Sequence, residues 1–364
     1  MKYYIIAGEA SGDLHGSNLI KALKKEDAQL EMRAWGGDLM AKEGVEIIKH
    51  YKDLAFMGFI EVIKNIRTIA RNLRFCKKDI LNYKPDALIL IDYPGFNLRI
   101  AEFAKQHNIP VHFYISPTVW AWKSSRVHQI KKNVDQLFCI FPFEKNFYKK
   151  YDYDAIYVGH PLLDAIEGED IVIPEKKSDK KTIALLPGSR VQEIKKILPT
   201  MVNVAKSFPD YHFKLAVAPS MDLDFIKSFT QGLDIELIQG KTYEVIGSSD
   251  LALVTSGTAT LETALFNVPE IVCYKTSWSS YTIGKMVVKV DYICIVNLIM
   301  NKLVVPEFIQ EKCTEEAISE QVKALIEGPK REKMLGEFAE LHKQLGSGGA
   351  SKKVAHYITT FHQN

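Results

Sequence analysis

The feature that most constrains this chain is a run of short apolar segments without internal alternation, set between helical patterns from one end to the other. In the first half they fall at 3–7, 32–35, 87–92, 111–115, 136–141 and 155–158. In the second half they fall at 182–186, 212–217, 235–238, 250–255 and 270–274. A strand that is apolar on both faces has to be covered on both faces, which describes a parallel sheet between helical layers. Helices are expected at 14–24, 60–82 and 100–106. The fold class is therefore α/β, with two doubly wound Rossmann-like domains. The length of 364 residues agrees, at about 150 residues per domain. The boundary is expected between Gly159 and Asp179, in a charged stretch that follows Gly159-His160-Pro161. Gly346-Ser347-Gly348-Gly349 reads as a flexible break before a last helix from Ala350.

Composition removes several classes of function. Lys and Arg number 47 against 44 Asp and Glu, a net charge of +3, which gives no reason to expect nucleic acid. No apolar stretch approaches the roughly 18 residues of a membrane span. The short run before Gly8 is too little for a secretory signal. Five cysteines at 76, 139, 273, 294 and 313 form no CxxC pair, which suits reduced thiols in the cytoplasm. There is no HExxH, P-loop or nucleophile-elbow signature, so neither a metal nor a cofactor is implied.

Ligands of open α/β sheets sit at the carboxyl ends of strands, and three glycine loops occupy such positions. The first is Gly8-Glu9-Ala10-Ser11-Gly12-Asp13. Its two carboxylates would repel a pyrophosphate, so Glu9, Ser11, Gly12 and Asp13 suit sugar hydroxyls; the competing reading is a tight turn with a helix cap. The second is Pro187-Gly188-Ser189-Arg190. Ser189 and Gln192 have capping-box spacing, but a cap does not explain Arg190 in a first turn, where the dipole disfavours a cation. A bound phosphate would explain it. The third, Ser256-Gly257-Thr258-Ala259-Thr260-Leu261-Glu262, has the small hydroxyl residues and backbone donors that suit a diphosphate. Glu262, one turn on, can accept bonds from ribose hydroxyls, or simply offset the helix dipole.

Asp92 closes an apolar run and precedes Tyr93-Pro94-Gly95-Phe96-Asn97. There it either sits on a cleft floor as a general base or caps a turn. Asp152-Tyr153-Asp154 matches a metal-holding DxD pattern, but it follows a basic helix end and reads as a turn. His160 reads as structural. From Met57 through Phe59 and Ile60 to Ile80, apolar residues form a helical stripe flanked by basic ones. Such a helix either docks on an anionic bilayer or faces the sheet. Trp120 and Trp122, with Lys123 and Arg126, either contact acyl chain and phosphate or brace the fold.

Six segments in this order carry a family resemblance: Gly8–Asp13, Ser116-Pro117-Thr118-Val119-Trp120-Ala121-Trp122, Phe141-Pro142-Phe143-Glu144, Val158-Gly159-His160-Pro161, Leu186–Arg190 and Ser256–Glu262. Over essentially its whole length the chain resembles the lipid-A-disaccharide synthases. The resemblance implies the GT-B architecture, with two domains facing across a cleft. Residues 1–165 would form the acceptor and membrane-facing domain, 166–345 the UDP-sugar donor domain, and 350–364 would pack back on the first. It implies an inverting transfer from UDP-2,3-diacylglucosamine to 2,3-diacylglucosamine 1-phosphate, giving a β-1,6-linked disaccharide phosphate and UDP.

By the same resemblance Asp92 is the base and Arg190 stabilises the leaving diphosphate. Gly188, Ser189, Ser256, Gly257, Thr258, Glu262 and Asn297 would hold the donor. Gly95 stands where many relatives carry a second Asp, leaving Asp92 as the sole local carboxylate. An ordinary Asp is a weak base, with a pKa of about 3.9. The implied location is the inner face of the inner membrane, by peripheral contact through Met57, Phe59, Ile60, Trp120 and Trp122; a homodimer is left open. The alternatives are a UDP-sugar epimerase or another UDP-sugar transferase on the same frame, or a sugar-nucleotide carrier without turnover. An NAD-dependent oxidoreductase is disfavoured because GxGxxG is absent after both first strands.

Overall fold

The computed structural model describes residues 1–54, 66–167, 172–173, 180–278, 281–282, 285 and 290–363. The chain divides into two compact units, Met1–Glu169 with Leu345–Asn364, and Asp170–Gln344.

The first unit holds seven strands: β1 (Lys2–Ala7), β2 (Glu31–Gly36), β3 (Glu46–His50), β4 (Ala87–Ile91), β5 (Val111–Tyr114), β6 (Gln136–Cys139) and β7 (Ile156–Tyr157). They pair in parallel in the order β3-β2-β1-β4-β5-β6-β7. The six strands of the second unit are β8 (Thr182–Leu186), β9 (His212–Val217), β10 (Ile235–Gln239), β11 (Leu251–Thr255), β12 (Glu270–Tyr274) and β13 (Glu307–Ile309). They run in parallel in the order β10-β9-β8-β11-β12-β13. β4, β8 and β11 are buried throughout, as their unbroken apolar runs require. The topology reverses between β1 and β4 in one sheet and between β8 and β11 in the other. Those two points are where doubly wound sheets open a crevice.

Two edge strands, β3 and β13, were not expected. The first is only half-buried and the second only three residues long, so neither has an apolar run to announce it. The first helix begins at Ala10 rather than at Leu14, so most of the supposed loop 8–13 is helical. Along the helix Ile66–Tyr83, Cys76 and Ile80 are buried and Leu73 packs against the sheet core. That half of the stripe faces the protein, because its apolar positions lie over the sheet; Ile66 stays 63% exposed. Met57, Phe59 and Ile60 lie outside the described residues.

The last helix, Ala350–Phe361, packs against the helix Ala10–Glu26. Asp164 fixes its start, accepting from the backbone N–H of Gly349, Ala350 (3.1 Å) and Ser351 (2.7 Å). The glycine segment before it is thus pinned rather than loose, with Gly348 N–H also donating to Glu167 at 3.3 Å. Asp164→Ala strands these helix-start donors and is expected to lower unfolding stability by about 1–3 kcal/mol, read as a lower urea midpoint.

Candidate functional site

At the switch point of the second sheet lies a cleft of about 310 Å³. Its floor is Leu186 at the end of β8 and Thr255 at the end of β11, with Ala216 and Ala218 from the β9 side. Around the rim stand Gly188, Ser189, Arg190, Ser256, Gly257, Thr258 and Glu262, residues that are distant in sequence. Gly188 has φ +99°, and a side chain there would meet Thr255 and Glu193 at 3.0 Å, so only glycine lets the loop lie this close to β11. The helix Thr258–Leu265 starts at the cleft and turns the backbone of its first residues, Thr258 and Ala259, toward the lining, while the Thr260 N–H is already taken by the Gly257 carbonyl at 3.2 Å. Glu262 accepts from the Tyr243 hydroxyl at 3.4 Å, which steadies its carboxylate on the lining.

Several side chains are used differently from their sequence expectation. Arg190, not Ser189, is the N-cap of the helix Val191–Lys206, and no capping box forms. Its guanidinium sits 2.8 Å from Glu193, which meets the charge that seemed to require an anion, and remains 56% exposed. Ser256 donates its hydroxyl to the Ile293 carbonyl at 2.9 Å, so its proton is already committed to the fold. Asn297 is wholly buried and saturated. It accepts from Val304 and Val305 N–H and donates to the Val305 carbonyl and Glu307, a turn staple rather than a ligand. Sequence reasoning missed Glu193 and Thr242 on the lining; the first shows only as a carboxylate three residues after Arg190.

The switch point of the first sheet carries Asp92 directly after β4, with Glu9 directly after Gly8 at the end of β1. Asp92 and Tyr93 both adopt left-handed backbone, φ +44° and +51°, a strained pair for non-glycine residues. Asn97 holds them: its side-chain amide donates to the carbonyls of Asp92 (2.7 Å), Ile91 (3.3 Å) and Ile6 (3.4 Å). Phe96 stacks on Tyr93 with centroids 5.5 Å apart, and Gly8 lacks the side chain that would collide with the Tyr93 ring. Every residue of the Asp-Tyr-Pro-Gly-Phe-Asn segment except Gly95 thus has a place in presenting Asp92, Pro94 opening the helix Pro94–Gln106.

Burial, then the negative charge of Glu9, pushes the Asp92 carboxyl up to about 6, against a smaller opposing hydrogen bond from the Tyr93 backbone. The expectation of an ordinary weak carboxylate is corrected accordingly, since charge is disfavoured where water is scarce and a like charge stands near.

Of the first loop, Glu9 is half-buried and Ser11 is exposed, while Gly12 packs against Ala7. Asp13 turns inward: its oxygens accept from Gly37 (2.7 Å), Leu39 (3.0 Å) and Met40 (3.1 Å) N–H, capping the helix Asp38–Lys42. It is a cap, not a sugar ligand, because the helix starting at Ala10 carries it to the protein side. Trp120 likewise has internal partners, donating to the buried Glu144 at 3.1 Å and standing edge-on to Phe143. That is a brace rather than a lipid contact. Trp122 ends the helix Val119–Trp122, and its side chain lies outside the described residues. Asp152 sits in a turn as read. His160 is buried beside His15, with its protonation pushed down to about 3, and accepts from Leu162 N–H at 3.2 Å.

A family model for lipid-A-disaccharide synthetase matches residues 3–358. The chain belongs to the lipid-A-disaccharide synthase family. Two relatives bearing that family's name are the synthase of Syntrophus aciditrophicus, 40% identical over 96% of this chain and 95% of its own length, and that of Myxococcus xanthus, 38% identical over 97% and 96%. Family membership makes the chain a hexosyltransferase of lipid A biosynthesis. Among solved structures, a UDP-GlcNAc 2-epimerase from Neisseria meningitidis superposes with a TM-score of 0.68 at 15% identity, covering 100% of both chains. The glycotransferase of kitacinnamycin superposes with a TM-score of 0.68 at 14% identity, covering 99% and 98%. At such identities the likeness shows the fold alone, and that fold is GT-B.

Glu9→Gln removes the like charge beside Asp92. The Asp92 carboxyl is then expected to titrate below its value of about 6, as followed by 13C NMR; an unmoved midpoint would leave burial as the whole cause.

Proposed function

We propose that the chain joins UDP-2,3-diacylglucosamine to 2,3-diacylglucosamine 1-phosphate, with inversion at the anomeric carbon, and releases UDP. The observation that carries this reading is Asp92, held by Asn97 in strained backbone at a switch point with its carboxyl raised to about 6. A carboxyl at that value is mostly ionised at neutral pH yet a better proton acceptor than an ordinary Asp. Its role is to take the proton of the acceptor 6-hydroxyl as the new C–O bond forms. The donor's diphosphate binds in the cleft after β8 and β11, where the helix start at Thr258 and the exposed Arg190 guanidinium stabilise the negative charge that grows as UDP leaves. Glu262 accepts from the ribose hydroxyls. The acceptor sugar binds along Glu9, Ser11 and Asp92.

The substrates are lipids, and no helix among the described residues is long and apolar enough to cross a membrane. Access is therefore by peripheral docking on the inner face of the inner membrane, with 57–60 as the contact. Phe59→Ser with Ile60→Ser is expected to move the protein from the membrane to the aqueous fraction; unchanged partitioning excludes the contact.

Asp92→Asn is expected to lower kcat by about 10²–10⁴-fold while UDP affinity, measured by calorimetry, stays within twofold. Normal turnover by this variant removes the base assignment. Because the base must be ionised, kcat/KM should fall about tenfold per pH unit below an inflection near 6 and level off above it. Mass detection of a disaccharide with UDP, rather than two UDP-sugars at equilibrium, separates transfer from epimerisation.

A further inference from the structure

The first unit carries another concavity, of about 360 Å³, beginning at Pro94 and Gly95 and closed by Arg99, Lys123, Ser125 and Arg126. Three cationic side chains converge on it, and no carboxylate is among its lining residues. Arg99 is held in place by donating to the Gly95 carbonyl at 2.8 Å, which folds its guanidinium back over the start of the helix Pro94–Gln106. Ser125 is the N-cap of the helix Arg126–Asn133, and its side chain makes no capping bond. Two helix starts and three cations therefore meet at one hollow, each favouring negative charge.

Burial, then the charge of Arg99, holds the Arg126 guanidinium below its ordinary value. Like charges brought together in a recess are a cost that an anion entering between them relieves. Arg99 and Lys123 reach the hollow from solvent while Arg126 is half-buried, and all three line it. The charge fits a phosphate monoester, a dianion that guanidinium forks grip through paired hydrogen bonds, and the volume leaves room for the sugar that carries it.

Position says which phosphate. Only Tyr93 separates Asp92 from Pro94, so the Cα atoms of Asp92 and the first lining residue lie within about 7.6 Å. In a hexopyranose the anomeric carbon and C5, which carries the 6-hydroxymethyl group, both flank the ring oxygen, so the anomeric substituent and the 6-hydroxyl reach out from the same end of the ring. We infer that Arg99, Lys123 and Arg126 bind a phosphate monoester on the anomeric carbon of the acceptor sugar, and so place that sugar's 6-hydroxyl at Asp92. This rests on the transfer reaction proposed above and adds how the acceptor is chosen and oriented: the enzyme selects a phosphorylated acceptor and rejects its dephosphorylated form.

The test compares kcat/KM for diacylglucosamine 1-phosphate with that for the matched 1-hydroxyl acceptor, in neutral detergent micelles. Wild type should prefer the phosphate. In the double variant Arg99→Gln, Arg126→Gln that preference should fall by about 10- to 100-fold, with the donor KM within twofold. Because the readout is a ratio within one protein, partial misfolding cancels. A ratio equal to wild type overturns the assignment. Loss of binding to phosphatidylglycerol vesicles with the ratio intact also overturns it, and gives the cations to bilayer headgroups instead. Wild-type inactivity toward both acceptors removes the transfer reaction and this inference together, whereas activity with an unchanged ratio removes this inference alone.

Discussion

The parallel backbone ladder is the constraint from which the rest follows. Because β1 and β4 pair in register while the chain leaves them in opposite directions, the loops after them diverge and leave room above the sheet. The pairing of β8 with β11 does the same in the second unit. These two places combine a rigid floor with loops that leave the sheet in opposite directions, which is where open α/β sheets hold ligands. The buried strands contribute rigidity, and the loops contribute function.

Within the first unit, the position of one carboxyl group explains an unusual local structure. Two successive residues in left-handed backbone are costly, and the buried Asn97 amide holds them there by bonding three carbonyls from two strand ends. The surrounding aromatic packing of Tyr93, Phe96 and Trp35 completes the support. Strain of this kind persists only where its surroundings over-determine it. Here it holds a carboxyl in a buried place that raises its proton affinity, with the charge of Glu9 adding to the rise.

The central strands were legible because full burial writes itself as continuous apolar sequence, and so was the cleft of the second unit, since Gly188 and Gly257 follow such strands closely and Glu262 lies one turn into the next helix. Less visible were features in which a polar side chain serves its own backbone. Asp13 and Asn297 look like ligands in a motif, yet the fold consumes every oxygen of Asp13 and the amide of Asn297. Sequence spacing shows that a polar residue is needed, not whether its partner is substrate or main chain. The edge strand β3 was hidden for a different reason: with Glu46, Lys49 and His50 among its five residues, it lacks the apolar run that burial demands. Asp92 was legible as a candidate, but its raised proton affinity comes first from burial and then from Glu9, which lies more than eighty residues away in sequence, and neither shows in the local motif.

The clamp that Asp164 places on the final helix ties the completion of the first unit to the far end of the chain. On the ribosome, all of Asp170–Gln344 is synthesised before Leu345–Asn364 emerges to cover the helix Ala10–Glu26. The first unit thus waits, with an apolar face uncovered, while the second is made, and the nascent chain is most exposed to aggregation and to chaperone capture during that interval.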